Sequence, residues 1–148
     1  MKKCFQIPRR AIQMIEFFMP MQKVPTTTHQ QKQINVQMTI KTGKPHFYEP
    51  TDLQAARSKL MAHLGQHVPD EKYKKAVRLT TKWCFPVTGK HSDGEYKTTK
   101  PDTDNLQKLL KDCMTDLGYW VDDALVVSEI TEKFWAKIPG IYIRIEAL

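Results

Sequence analysis

Two periodicities alternate along this chain. Ile34, Val36, Met38 and Ile40 alternate with Asn35, Gln37 and Thr39, and Val77, Leu79, Thr81, Trp83 and Phe85 alternate with Arg78, Thr80, Lys82 and Cys84. A period of two sends one set of side chains to one face of a strand, so both stretches are expected as strands. Ile141, Ile143 and Ile145 alternate with Tyr142, Arg144 and Glu146 in a last strand, and the Pro139-Gly140 turn before it predicts that the chain ends on an antiparallel hairpin. Ile15 to Met19, with Glu16 its one charge, is apolar enough for a buried first strand, and Pro20 ends it. Gly43, within Lys41 to Lys44, turns the chain into a shorter run at His46 to Tyr48, which predicts a hairpin with the Ile34–Ile40 strand.

The helical period appears twice. Leu53, Ala56, Leu60 and Leu64 trace one face after a capping pattern at Thr51 and Gln54, and Gly65 stops it. Its outward Arg57 and Lys59 read as solvated. Leu106, Leu109, Leu110, Cys113 and Leu117 trace the second face, opposite Lys108, Lys111, Asp112 and Thr115. The elements predict an α+β fold in a single domain spanning residues 1–148, a mixed or antiparallel sheet packed with two main helices. Residues 1–12 read as a loose basic N-terminal arm.

The second helix, from about Asn105 to Leu117, is roughly 20 Å long at about 1.5 Å per residue, and Gly118 suits its C-terminal stop. Asp102 and Asp104 precede or open it; Asp122 and Asp123 follow it. An extended run from Tyr119 to Asp123 can turn back along the helix, which would bring Asp123 near Asp102 and Asp104. Three or four carboxylates together repel one another and call for a cation, and a set of hard oxygen ligands favours Mg²⁺ or Mn²⁺ over zinc. Lys108, one turn after Asp104, could reach a phosphate held there. Singly, each acid has a structural reading: Asp104 as an N-cap, Asp122 or Asp123 as turn residues.

The composite Asp-x-Asp-Asn-Leu-x-Lys, a helix, then Gly-aromatic-Trp-Val-Asp-Asp-x-x-Val-Val, running from Pro101 to Val127, resembles the RusA-like endodeoxyribonucleases, the phage-type Holliday junction resolvases. That resemblance implies a homodimeric, Mg²⁺-dependent nuclease that cuts four-way junction DNA, with Mn²⁺ able to substitute, encoded by a phage, a prophage or a cell. It places the essential acids at Asp102, Asp104 and Asp123 and the essential lysine at Lys108; Asp122 matches a neighbouring acid.

Charge sharpens the picture. Residues 1–100 carry 18 Lys and Arg against 7 acids, whereas residues 101–148 carry 5 against 9. A basic body with a local acidic patch suits a protein that grips a polyanion and holds a cation against it. Lys23, His29 and Lys32 in the acid-free stretch after the first strand, and Lys90, Lys97 and Lys100 in the loop before Pro101, are the residues expected to touch DNA. Cys4, Cys84 and Cys113 form no C-x-x-C pair and are odd in number, which argues against a disulfide framework or a cysteine zinc site and for a reducing cytoplasm. His63 and His67 are four apart, but Gly65 interrupts a helix between them and no third ligand is near. No stretch approaches a membrane span. An EF-hand loop starting at Asp102 would place Gly and Glu where Gln107 and Cys113 stand. The rival from another class is a non-catalytic junction-binding accessory protein, which metal binding at the acids would discriminate.

Overall fold

Val77, Leu79, Thr81, Trp83 and Phe85 are all buried, because they form the one face of a central strand that shares a core with the helices. The computed structural model describes residues 13–26, 33–34, 36–45, 47–48 and 51–148. The chain runs β1 (Met14–Pro20), β2 (Gln33–Ile34), α1 (Val36–Thr42), β3 (Phe47–Tyr48), α2 (Thr51–Leu64), β4 (Val77–Pro86), α3 (Thr103–Leu117), a 3-10 turn (Asp123–Leu125), β5 (Val126–Ala136) and β6 (Gly140–Ala147). The main sheet has the order β1-β6-β4-β5; β4 is parallel to β5, and the other two pairings are antiparallel. The architecture is the expected α+β single domain with a mixed sheet and two main helices.

The inward set of β4 and Ile141, Ile143 and Ile145 of β6 share one core with both helices. From α2 come Leu53, Ala56, Leu60 and Leu64, the face the period predicts; α3 supplies Leu106, Leu109, Leu110, Cys113 and Met114. Thr81 and Gln107 are the buried polar side chains among the described residues. Thr81 Oγ1 donates to Gln107 Oε1 at 2.9 Å, and Trp83 Nε1 lies 3.2 and 3.3 Å from the same two oxygens. Buried polar groups are tolerated when paired in this way. The network joins α3 to β4 through Gln107 Oε1, its Nε2 having no partner among the described residues, and Lys108 beside it faces outward. Leu110 has no exposed surface, so Leu110→Ala is expected to cost about 2–5 kcal/mol in a urea titration.

Three expectations are corrected. The chain does not end on a hairpin of adjacent strands, because β4 lies between β5 and β6. Ala136 pairs with Pro86 and Gly140 with Cys84, so the link steps over the end of β4. A Cβ on Gly140 would stand 2.3 Å from Met19 O and 2.6 Å from Phe18 Cζ, so the residue that starts β6 against β1 has to lack a side chain. The expected strand from Ile34 to Ile40 is a two-residue bridge followed by α1. Gln33 and Ile34 do pair with Tyr48 and Phe47, but α1 is closed by Gly43, whose N–H bonds Thr39 O at 2.9 Å. A period of two has force only where a sheet buries one face, and here Ile40 is 79% exposed. Finally, β1 is an edge strand rather than a buried one: Met19 is buried, Ile15 and Phe17 are half-buried, and Phe18 is exposed.

Candidate functional site

The loop between β4 and α3 is pinned along β5. Gly94 N–H bonds Trp135 O at 2.8 Å, Trp135 N–H bonds Glu95 O at 2.8 Å, and Lys97 N–H bonds Lys133 O at 2.9 Å. Rings reinforce these bonds: His91 stacks on Trp135 and Tyr96 on Phe134. Lys133 Nζ donates to Thr99 O at 2.7 Å and Pro101 O at 2.8 Å, immediately before Asp102. The acid motif therefore starts from a braced platform.

Asp102, rather than Asp104, is the N-cap of α3, and its side chain makes no capping hydrogen bond. The structural duty most often given to an aspartate there is thus left undone. Asp104 sits in the first turn, exposed, where the helix dipole favours a negative charge by about 0.3–1 kcal/mol. Lys108 is exposed one turn further on and points its Nζ to Asp112 Oδ1 at 3.4 Å. Asp104, Lys108 and Asp112 form an i, i+4 stripe on the outward side of α3.

At the far end Gly118 takes the left-handed conformation, φ 88 and ψ 31, and Tyr119 N–H closes on Met114 O at 3.0 Å. The chain then turns back beside α3, as expected. Tyr119 and Trp120 are fully buried, and Tyr73 pins the segment through Tyr73 N–H to Tyr119 O and Val121 N–H to Tyr73 O. Tyr119 Oη donates to Leu64 O at 2.6 Å, and burial pushes this phenol well above its ordinary pKa. Asp122 caps the 3-10 turn by accepting from Ala124 N–H at 2.8 Å, which is the turn role. Asp123 is half-buried and lines an open cavity of about 340 Å³ with Asp112, Thr115, Asp116, Val121, Asp122 and Arg57.

The returning run shares a cavity with Asp112 of α3. Asp104 and Asp112 are eight residues apart on one helix, about 12 Å along its axis, and neither Asp102 nor Asp104 lines the cavity. Among the described residues no three His, Cys, Asp or Glu side chains are grouped as a metal site. What the protein offers is an exposed carboxylate pair at the start of α3, Lys108 in the middle, and a carboxylate-lined cavity at the other end.

The cations divide. Lys97 Nζ lies 4.4 Å from the Trp135 ring centre and 5.3 Å from that of Phe85, and burial, then Lys133, lowers its pKa. Lys90 and Lys100 are exposed. Lys23 lines a second cavity, of about 300 Å³, with Thr26 and Lys59, and its carbonyl accepts from Lys59 Nζ. His29, Lys32 and the basic arm lie outside the described residues. Sequence reading set Arg57 aside as solvated, yet it lies 3.9 Å from Asp116. It missed Lys133 altogether, whose partners are main-chain carbonyls more than thirty residues away and leave no sequence pattern.

The loop carries its own pH dependence. The hydrogen bond from His91, then that from Ser92 N–H, holds Glu95 below the ordinary glutamate range. A lowered carboxylate contributes stability above its unfolded pKa of about 4.3 and loses it as the pH falls through the folded value. Trp135 fluorescence, with His91 stacked on that ring, is expected to show a transition below about pH 4.3, and Glu95→Gln to remove that transition.

The family model described as Endodeoxyribonuclease RusA matches residues 22–146. The chain is 36% identical over 114 residues to the crossover junction endodeoxyribonuclease rusA of Lactococcus phage r1t, covering 76% of this chain and 82% of the phage protein. It is 28% identical over 118 residues to YqaN of Bacillus subtilis (strain 168), covering 72% of this chain and 82% of that protein. With the braced Asp102–Asp104 motif and the Asp122–Asp123 turn both inside the matched span, the chain belongs to the RusA endodeoxyribonuclease family.

Proposed function

We propose that the protein is a Mg²⁺-dependent Holliday junction resolvase, acting as a homodimer that places paired, symmetric nicks in four-way DNA, with Mn²⁺ able to replace Mg²⁺. The observation that carries this is the unpaired Asp102–Asp104 couple at the start of α3, inside the span that matches the family. An all-carboxylate donor set fits a hard divalent ion, and Mg²⁺ in particular is held by one or two carboxylates and completed by water and substrate phosphate. Two acids without a third are enough for that mode of binding. When bound, the ion would activate water and neutralise charge on the phosphate.

The chain's own residues have separate parts. Asp102 and Asp104 would hold the ion against a phosphate of the scissile strand. Lys108 would leave Asp112 for that phosphate and stabilise the charge that develops on it. Asp123 is the further essential carboxylate, and Asp122 is its less central neighbour, occupied by the turn. A junction has approximate two-fold symmetry, so a C2 dimer would present two such sites in matching orientation.

The basic surface, with Lys23, His29, Lys32, Lys90, Lys97 and Lys100 as candidates, supplies affinity. Junction binding in EDTA is expected to weaken linearly with salt on logarithmic axes. Each exposed lysine changed to Ala should lower that slope by about 0.9 if it meets a phosphate; a Lys100→Ala slope equal to wild type would remove Lys100 from the interface. Among the described residues no helix is long and apolar enough to cross a membrane; the expected setting is the cytoplasm, of a phage-infected or prophage-bearing cell. Cleavage of a synthetic junction with and without Mg²⁺ tests the reading.

A further inference from the structure

We propose that Lys133 is a positioning residue for the nuclease reaction, clamping the chain that delivers Asp102 and Asp104; this rests on the assignment of those acids above. Lys133 stands on β5, which is parallel to β4 and fixed in the sheet. Its ammonium donates to Thr99 O at 2.7 Å and Pro101 O at 2.8 Å, so both bonds lie within one and three residues of Asp102. Two bonds from one charged donor hold a short segment in place as well as in orientation.

The arrangement is electrostatically demanding. Among the described residues no carboxylate pairs with Lys133, and Lys97 lies near enough for the lysine charge to lower its pKa further after burial has done so. The two ammonium groups are brought together and held by the Thr99 and Pro101 carbonyls, the Thr99 hydroxyl and the faces of Trp135 and Phe85. A bare surface lysine would turn to solvent at no cost. Here the charge is spent on the two peptide groups that enter the acid motif, beyond the last main-chain bond of the loop to β5 at Lys97. Without the clamp, Asp102 and Asp104 would sample positions beyond the tolerance of a metal-held phosphate, for which misplacement by about 1 Å can cost about 10²-fold in rate.

The test compares wild type, Lys133→Met and Lys133→Arg on a synthetic four-way junction. Lys133→Met is expected to bind the junction in EDTA within about twofold of wild type, and to cut it in single turnover about 10²-fold more slowly. Metal-free amide exchange at Lys97, whose N–H bonds Lys133 O, and at Leu106, whose N–H bonds Asp102 O, should quicken while β4 and β6 stay protected. Lys133→Arg keeps the charge and two donors, guards against a folding failure, and should recover most of the rate. Unchanged cleavage and exchange in Lys133→Met would overturn the proposal. So would a loss of junction affinity that accounts for the whole loss of rate, which would make Lys133 a DNA contact. Absence of cleavage by wild type would instead overturn the resolvase reading, while the exchange result would still decide the clamp.

Discussion

Asp104→Asn is expected to fold and to bind a four-way junction like wild type while cutting it at least about 10³-fold more slowly, since the ion it would hold is worth several kcal/mol and each 1.36 kcal/mol is tenfold in rate. Its carboxylate is exposed and makes no hydrogen bond that holds the fold. The stability cost is therefore limited to its favourable place near the helix N-terminus, about 0.3–1 kcal/mol. Asp102→Asn should behave likewise, because the Asp102 side chain caps nothing. Thermal unfolding, gel-shift binding in EDTA and single-turnover cleavage of each variant separate the two effects. A variant that cuts within tenfold of wild type would remove its acid from the site.

The second large effect separates neighbours. Asp123→Asn is expected to lose about 10²–10³-fold in rate with little change in stability. Asp122→Ala should lose the cap on the 3-10 turn, about 0.5–2 kcal/mol, and keep most of its rate. The contrast arises because Asp122 already accepts from Ala124 N–H, whereas Asp123 faces the cavity beside α3. Equal loss of rate in both variants would mean that the turn, rather than one carboxylate, is what the site needs.

What could be read from the chain followed the reach of each physical rule. Helical period and stop residues act locally, so the buried faces of α2 and α3 and the αL residue at Gly118 were legible. The alternation from Val77 to Phe85 was legible because one face of β4 shares a core with the helices, and the same alternation misled at Ile34–Ile40, where no sheet supplies a face to bury. Strand order was not legible: nothing local in Pro139-Gly140 says that the chain passes over the end of β4 before pairing.

The site followed the same division. Its acids stand in one continuous motif and could be named from residue types and spacing, and the return of the chain beside α3 followed from length. Where that return stops was set by Tyr73 gripping the Tyr119–Val121 segment, a contact between residues nearly fifty apart. Asp123 consequently lines a cavity with Asp112. Lys133 and Arg57 reach the site across tertiary contacts and were invisible for the same reason.

The most direct test is cleavage of a strand-labelled synthetic four-way junction by the purified full chain, in Mg²⁺ and in EDTA. The expected result is paired nicks at symmetric positions in two opposing strands, yielding nicked linear duplexes, in Mg²⁺ and not in EDTA. A junction that is bound tightly but left intact in both Mg²⁺ and Mn²⁺ would contradict the resolvase reading and identify a non-catalytic junction-binding protein.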